Sequence, residues 1–248
     1  MPKISELTAP YARILAYGAS GAGKTRFGGT MPGPRYWFNF EENNIVTLLA
    51  NSVEADYDNY DEKPDSKSSG YTRIVAKIIE LKAHCPYKTI VVDNGMGFYK
   101  AIFDHILKLN NLEVARIQDW GQSGDRNKNL LKEICRLPCH VLVNFHEQLE
   151  KDETLGRVVG RIAIPGKFQP DELPGMFNMF LHFKIQPQAG KEPKRVIATT
   201  PDSLWPAGDK YGALDPIEEP DFNILWGKIE KKLHDGWTSS EKKEEVKV

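Results

Sequence analysis

Cysteine is scarce: Cys85, Cys135 and Cys139 are the only three in 248 residues. So sparse and odd a set suits a reducing cytosol and excludes a disulfide framework. No second Cys or His pair accompanies Cys135-x-x-x-Cys139-His140, so buried thiols are expected there and not a zinc site. Long apolar runs are missing too. Nothing approaches the roughly 20 residues of a membrane span, and Met1-Pro2-Lys3-Ile4-Ser5-Glu6 lacks the apolar core of a secretory signal. A cytoplasmic location with no membrane partner is therefore expected. Net charge is almost absent, since 33 basic residues face 34 acidic ones. A protein coated in nucleic acid would be more basic, so any such contact has to use a local patch. No internal repeat and no clear linker interrupt the chain. The length suits one large α/β domain over residues 11–236, with an N-terminal arm at 1–10 and a disordered charged tail at 237–248.

What is present is an alternation of element types. Residues 12–17 read as a buried strand, with a short helix from Lys24 ending near Gly28-Gly29. Residues 36–40 are an aromatic-rich strand and 44–50 a helix. The polar stretch 51–70 reads as a surface loop. Helical spacing returns over 71–84, a short apolar strand ends at Asp93, and helices are expected over about 97–109 and 124–136. The strand 140–145 follows. Beyond it come β-like runs at 157–164, 178–186 and 194–200, separated by Gly and Pro, then an amphipathic helix over 221–234. Strands alternating with helices predict an α/β fold: a mostly parallel sheet with helices on both faces and hairpins added toward the C-terminus.

The strongest motif is Gly18-Ala19-Ser20-Gly21-Ala22-Gly23-Lys24-Thr25. The pattern G-x-x-x-x-G-K-[ST] arises by chance in about one chain per hundred of this length. Here it also has the strand before it and the helix after it that its mechanism requires. The glycines let the backbone wrap a phosphate with N–H groups pointing inward, and the following helix adds a positive dipole end. Lys24 is expected at the β- and γ-phosphates and the Thr25 hydroxyl on Mg²⁺. Arg26 is placed with these positions, and the ligand expected is ATP with Mg²⁺.

Three further positions could complete such a site. Asp93 ends an apolar strand and fits the carboxylate that holds Mg²⁺, directly or through water; the plainer reading is a cap for the next helix, and both could hold. Glu41 and Glu42 follow the second strand, at the edge where open α/β sheets bind ligands. One of them could deprotonate an attacking water, the plainer reading being two solvated glutamates at a helix start. His146 ends the strand 140–145 at the same edge and could sense the γ-phosphate, although a lone His is more often structural.

In this order the motifs resemble the RecA-like core. The closer resemblance is to phage-encoded RecA-like proteins, among them single-strand annealing recombinases of the Sak type, distant relatives of RecA and RadA. Its further residues are Asp119-Trp120-Gly121, His146-Glu147, Ile164-Pro165-Gly166-Lys167, Leu173-Pro174-Gly175-Met176-Phe177-Asn178 and Gly208-Asp209-Lys210-Tyr211-Gly212-Ala213-Leu214. They span residues 11–233. The resemblance implies a DNA-stimulated ATPase for recombination or annealing, in which Glu41 activates water and His146 or Gln148 couples phosphate to DNA-binding loops. It also implies self-association into a ring or filament and a single-strand-binding protein as a further partner. Two positions depart from the pattern. Lys210 stands where an arginine finger onto a neighbour's ATP would be, and lysine lacks the bidentate fork. Asn94-Gly95 follows Asp93 where a hydroxyl residue is more usual.

RecA-like proteins bind single strands through loops, and two stretches here mix basic and aromatic residues. One is 116–128, with Trp120, Arg126 and Lys128; the other is 157–168, with Arg157, Arg161, Lys167 and Phe168. Such interleaving suits backbone neutralisation with base stacking. A third basic cluster, Lys184, Lys191, Lys194 and Arg195, falls on an expected hairpin. Two other classes stay open: a small-molecule kinase using the same loop, and a nucleotide-gated assembly module that hydrolyses little.

Overall fold

Each central strand sends alternate side chains to opposite faces, and both faces are apolar. Ile14, Ala16, Trp37, Val91 and Leu142 face one way, while Leu15, Tyr17, Phe38, Ile90, Val92, Val141 and Val143 face the other. A strand buried on both sides must be covered by two layers of helix. The computed structural model, which describes residues 11–41, 43–60, 69–153, 156–164 and 173–245, with side chains to residue 235, has that form.

The elements are β1 (Arg13–Gly18), α1 (Lys24–Thr30), β2 (Arg35–Asn39), α2 (Asn44–Ala50), β3 (Asp56–Asn59), α3 (Gly70–Ala83), β4 (Thr89–Asp93), α4 (Gly95–Leu109), α5 (Ile117–Cys135) and β5 (His140–Phe145). Then come β6 (Glu147–Asp152), β7 (Arg157–Ile162), a 3-10 turn (Leu173–Met176), β8 (Met179–Gln188), β9 (Lys191–Ala198), β10 (Gly208–Asp209), β11 (Ile217–Glu218) and α6 (Phe222–Glu245). The main sheet has nine strands in the order β11-β9-β8-β1-β5-β4-β2-β3, with β10 also on β8. The six from β8 to β3 run parallel, while β9, β10 and β11 are antiparallel additions. Helices α3, α4 and α5 cover one face through Ile74, Phe98, Ile102, Leu131 and Ile134. Helices α1, α2 and α6 cover the other through Phe27, Leu48, Phe222, Leu225 and Ile229. Each large side chain so buried contributes about 1.5–3 kcal/mol. The expected α/β core, a mostly parallel sheet with helices on both faces and antiparallel strands added toward the C-terminus, is therefore the observed one.

Four local expectations are corrected. The polar stretch 51–70 contains β3, whose residues are too exposed and acidic to signal a strand; its backbone pairs with β2 from Tyr36↔Asp56 to Asn39↔Asn59 at the sheet edge. Helix α5 begins at Ile117, seven residues before the expected start, because Asp119 accepts from the Arg116 backbone N–H at 2.8 Å and from its guanidinium at 3.0 Å. Gly121 and Gly124 sit inside this helix without ending it, so Arg126 and Lys128 lie on a helix and not on a loop. The run after His146 forms β6, which pairs with β7 as a separate two-stranded ribbon. Helix α6 continues to Glu245, because the Lys- and Glu-rich sequence after residue 238 has good helix formers and no Pro. Among the described residues no helix is long and apolar enough to cross a membrane.

Candidate nucleotide site

The strand order decides what meets at the sheet's C-terminal edge. β5 lies between β1 and β4, so the phosphate loop after β1, Asp93 at the end of β4 and His146 after β5 converge. β2 brings Glu41 from the far side of β4. The crevice past the carboxyl ends of parallel strands is where such sheets hold ligands. Here it is a cleft of ≈ 440 Å³ lined by residues that include Ser20, Gly21, Gly23, Lys24, Thr25 and Arg26.

The loop has the backbone that its glycines allow. Gly18 runs so close to β8 that a Cβ there would stand 2.4 Å from the Phe183 carbonyl oxygen. Gly23, with φ 104°, is left-handed at the turn into α1. Lys24 is buried at 8% exposure, and its ammonium donates to the carbonyls of Gly18 at 2.8 Å and Ala19 at 2.9 Å. Burial lowers its pKa, opposed by the charges of Asp93, Glu147 and Glu41. A buried cation held only by two carbonyls is poised for a stronger acceptor, which a phosphate provides.

Thr25 and Asp93 form the second feature. The Thr25 hydroxyl donates to Asp93 Oδ2 at 2.8 Å, and the aspartate is buried at 3% exposure. Adjacent oxygen ligands of an octahedral Mg²⁺ stand about 3 Å apart. Two hard oxygens at this separation, one of them a carboxylate, therefore suit that ion. Burial pushes the Asp93 carboxyl upward, while Thr25, Asn144, Lys24 and Trp37 oppose the shift.

Glu41 lies across the cleft. The Asn94 side-chain amide donates to Glu41 Oε1, and the His146 Nε2 stands 3.8 Å from the same oxygen. With side-chain exposures of 45% for Glu41 and 38% for His146, both remain reachable by water and ligand. All three line the cleft with Asp93 and Lys24. The structure thus brings Ser20, Gly21, Gly23, Lys24, Thr25 and Arg26 together with Asp93, Glu41 and His146, while Ala22 packs into the core beneath.

Other expected residues lie elsewhere. Lys210 is outside the cleft lining and donates to the Gly175 carbonyl at 2.9 Å. Arg126 stacks over Tyr71 at 5.7 Å, and Lys128 is half-buried on the same helix. Arg157 is exposed at the start of β7, while Arg161 pairs with Glu150 at 3.2 Å and Asp152 at 3.9 Å. Glu42 and Lys167 fall outside the described residues. Asn44, Thr47 and Asn51 of the α2 region also line the cleft with no sequence signal, and two further groups there bear on the chemistry. Asn94 is one; only its position after Asp93 marked it. Arg195 is the other. Assigned by sequence to a basic hairpin, it lines the cleft and donates from Nε to the Gly21 carbonyl at 3.0 Å.

A family described as AAA domain matches residues 11–211. No curated protein matches the sequence. A solved structure titled as a prototypical ATPase from the type III secretion system of pathogenic bacteria is similar, at 13% identity and a TM-score of 0.44, over 70% of this chain and 51% of that one. The chain thus spans about half the length of that ATPase.

Proposed function

The chain belongs to the AAA domain family, and from that premise we propose that it is a Mg²⁺-dependent ATPase whose water-activating base is Glu41. One observation carries this reading. Glu41 faces the phosphate loop across a single cleft, held by Asn94 and beside His146, with the Thr25–Asp93 pair between. Lys24 binds the β- and γ-phosphates. Thr25 and Asp93 would hold Mg²⁺, which would neutralise phosphate charge there. Glu41 takes a proton as the water oxygen attacks the γ-phosphorus. The bond from that phosphorus to the bridging oxygen breaks, and its electron pair leaves on the β-phosphate of ADP. Lys24 offsets the charge that develops there. His146 sits where the presence of the γ-phosphate can be sensed.

ATP turnover and nucleotide affinity of the wild type and Lys24→Ala test the reading. Loss of both in the variant is expected. Phosphate transfer to nucleosides or nucleotides in place of release would favour the kinase alternative, and negligible turnover with nucleotide-dependent assembly would favour the assembly module.

Single-stranded DNA is the partner proposed for the β6–β7 ribbon. The ribbon leaves the core at Glu147, next to His146, and carries exposed Arg157 with exposed Leu149 and Val158. A change at His146 thus has a short route to it. Stimulation of turnover by single-stranded DNA at low salt supports this part. Neither binding nor stimulation would remove it without touching the ATPase.

A further inference from the structure

The basic residues of the β8–β9 hairpin do not share one role. Lys184 pairs with Asp202 at 2.5 Å and Lys194 with Glu219 at 2.8 Å, both on the surface. Among the described residues Arg195 has no carboxylate partner. It turns onto the phosphate loop, and its Nε donates to the Gly21 carbonyl at 3.0 Å. Its stem lies along Gly23, where a Cβ would meet Arg195 Cδ at 3.1 Å. No hydrogen bond or ion pair engages its two terminal nitrogens among the described residues, and it lines the same cleft as Lys24, Thr25 and Glu41.

The placement is stiff. Val196 and Ile197, the next two residues, are buried at 2% and 0% exposure. β9 pairs with β8 at Arg195↔Ile185, and β8 pairs with β1 at Phe183↔Gly18, the first residue of the loop. Two strands of sheet therefore fix the arginine's backbone relative to the loop. With Nε braced on the loop carbonyl, the remaining nitrogens form a fork, and a fork of donors beside a phosphate loop matches a phosphate oxygen pair.

We propose that Arg195 is a phosphate ligand acting in cis, supplied by the β8–β9 hairpin to the nucleotide bound in its own subunit. The proposal rests on the nucleotide reading given above. It puts a positive fork in the site without a neighbouring subunit, and it removes Arg195 from any DNA patch.

The test compares Arg195→Ala and Arg195→Lys with Lys24→Ala, measuring ATP and ADP affinity by titration and turnover at saturating ATP. A lost charge-assisted contact predicts ATP affinity lower by about ten-fold to a hundred-fold in Arg195→Ala, with a smaller loss in Arg195→Lys. The melting temperature without nucleotide should not change, because the side chain is exposed. Unchanged affinity and turnover in Arg195→Ala, with binding lost in Lys24→Ala, would overturn the proposal and leave the nucleotide site standing. A wild type that binds no ATP would overturn both. Mixing Arg195→Ala with Lys24→Ala separates cis from trans. No recovery of turnover is expected, and recovery would show that Arg195 serves a neighbour's nucleotide.

Discussion

Asn94 does two jobs with one side chain: its amide nitrogen donates to Glu41 Oε1, while its Oδ1 accepts from the Gly97 backbone N–H at 2.7 Å. The second bond caps α4, so the helix start and the orientation of the carboxylate are tied to the same residue. Asn94→Ala should then lower turnover about ten-fold or more, since an unheld base loses its geometry, while ATP affinity changes little. Loss of the cap should cost about 1 kcal/mol of stability. Steady-state kinetics and urea unfolding measure the two effects. A variant that binds ATP poorly but turns over normally would contradict this role.

Glu41→Gln keeps the shape of the site and removes the proposed base. Binding of ATP should persist and turnover should fall by about 10²–10⁴-fold, the usual worth of a positioned base. Turnover at the wild-type rate would move the role to another carboxylate, with Glu42 next in line.

The phosphate loop was legible because its chemistry is contiguous: eight successive residues carry the turn, the buried Lys24 and the Thr25 hydroxyl. Asp93 and His146 were legible because apolar strands end at them. Arg195 was not. Its sequence neighbours are surface lysines, and only the β9-β8-β1 pairing brings it to a loop more than 170 residues away. β3 was missed for a different reason. An edge strand with acidic side chains has no apolar alternation to show, and its order comes from backbone pairing with β2. Helix α5 starts earlier than its apolar spacing shows and runs through Gly121 and Gly124, whose cost of about 1 kcal/mol each is outweighed by the Asp119 cap and by buried Leu131 and Ile134.

His140 gives the fold a pH dependence of known sign. Its Nδ1 accepts from the Ala12 N–H at 3.0 Å, and its ring packs against Phe222 and Trp226. Burial, and then the charge of Arg13, lower its pKa from 6.5 to about 4. The folded state therefore favours the neutral ring. Its contribution is complete above the ordinary histidine value and is lost as pH falls from 6.5 toward about 4. Discounted for the half-exposed ring, the effect is about 1–2 kcal/mol. Urea unfolding across that range should show it, and His140→Gln should flatten that part of the slope. A slope unchanged by the substitution would assign it to other groups.

Two glycine-to-alanine changes should have opposite signs. Gly160 of β7 is pressed on Trp205, where a Cβ would stand 2.1 Å from the indole Cε3, and its N–H donates to the Leu204 carbonyl at 2.8 Å. Trp205 packs on His182 with ring centroids 4.7 Å apart, and His182 Nε2 meets Glu147 at 2.8 Å, next to His146. Gly160→Ala must displace either the tryptophan or the ribbon. The expected cost is about 1–3 kcal/mol, with a shift in tryptophan emission and a fall in turnover larger than any fall in ATP affinity. Gly121, inside α5, has none of the described residues within 4 Å of an added Cβ. Gly121→Ala gains only helix propensity and should stabilise by up to about 1 kcal/mol, with turnover untouched. Thermal melts and kinetics on the pair read both signs at once. A Gly160→Ala protein as stable and active as the wild type would mean that the ribbon is not anchored through Trp205.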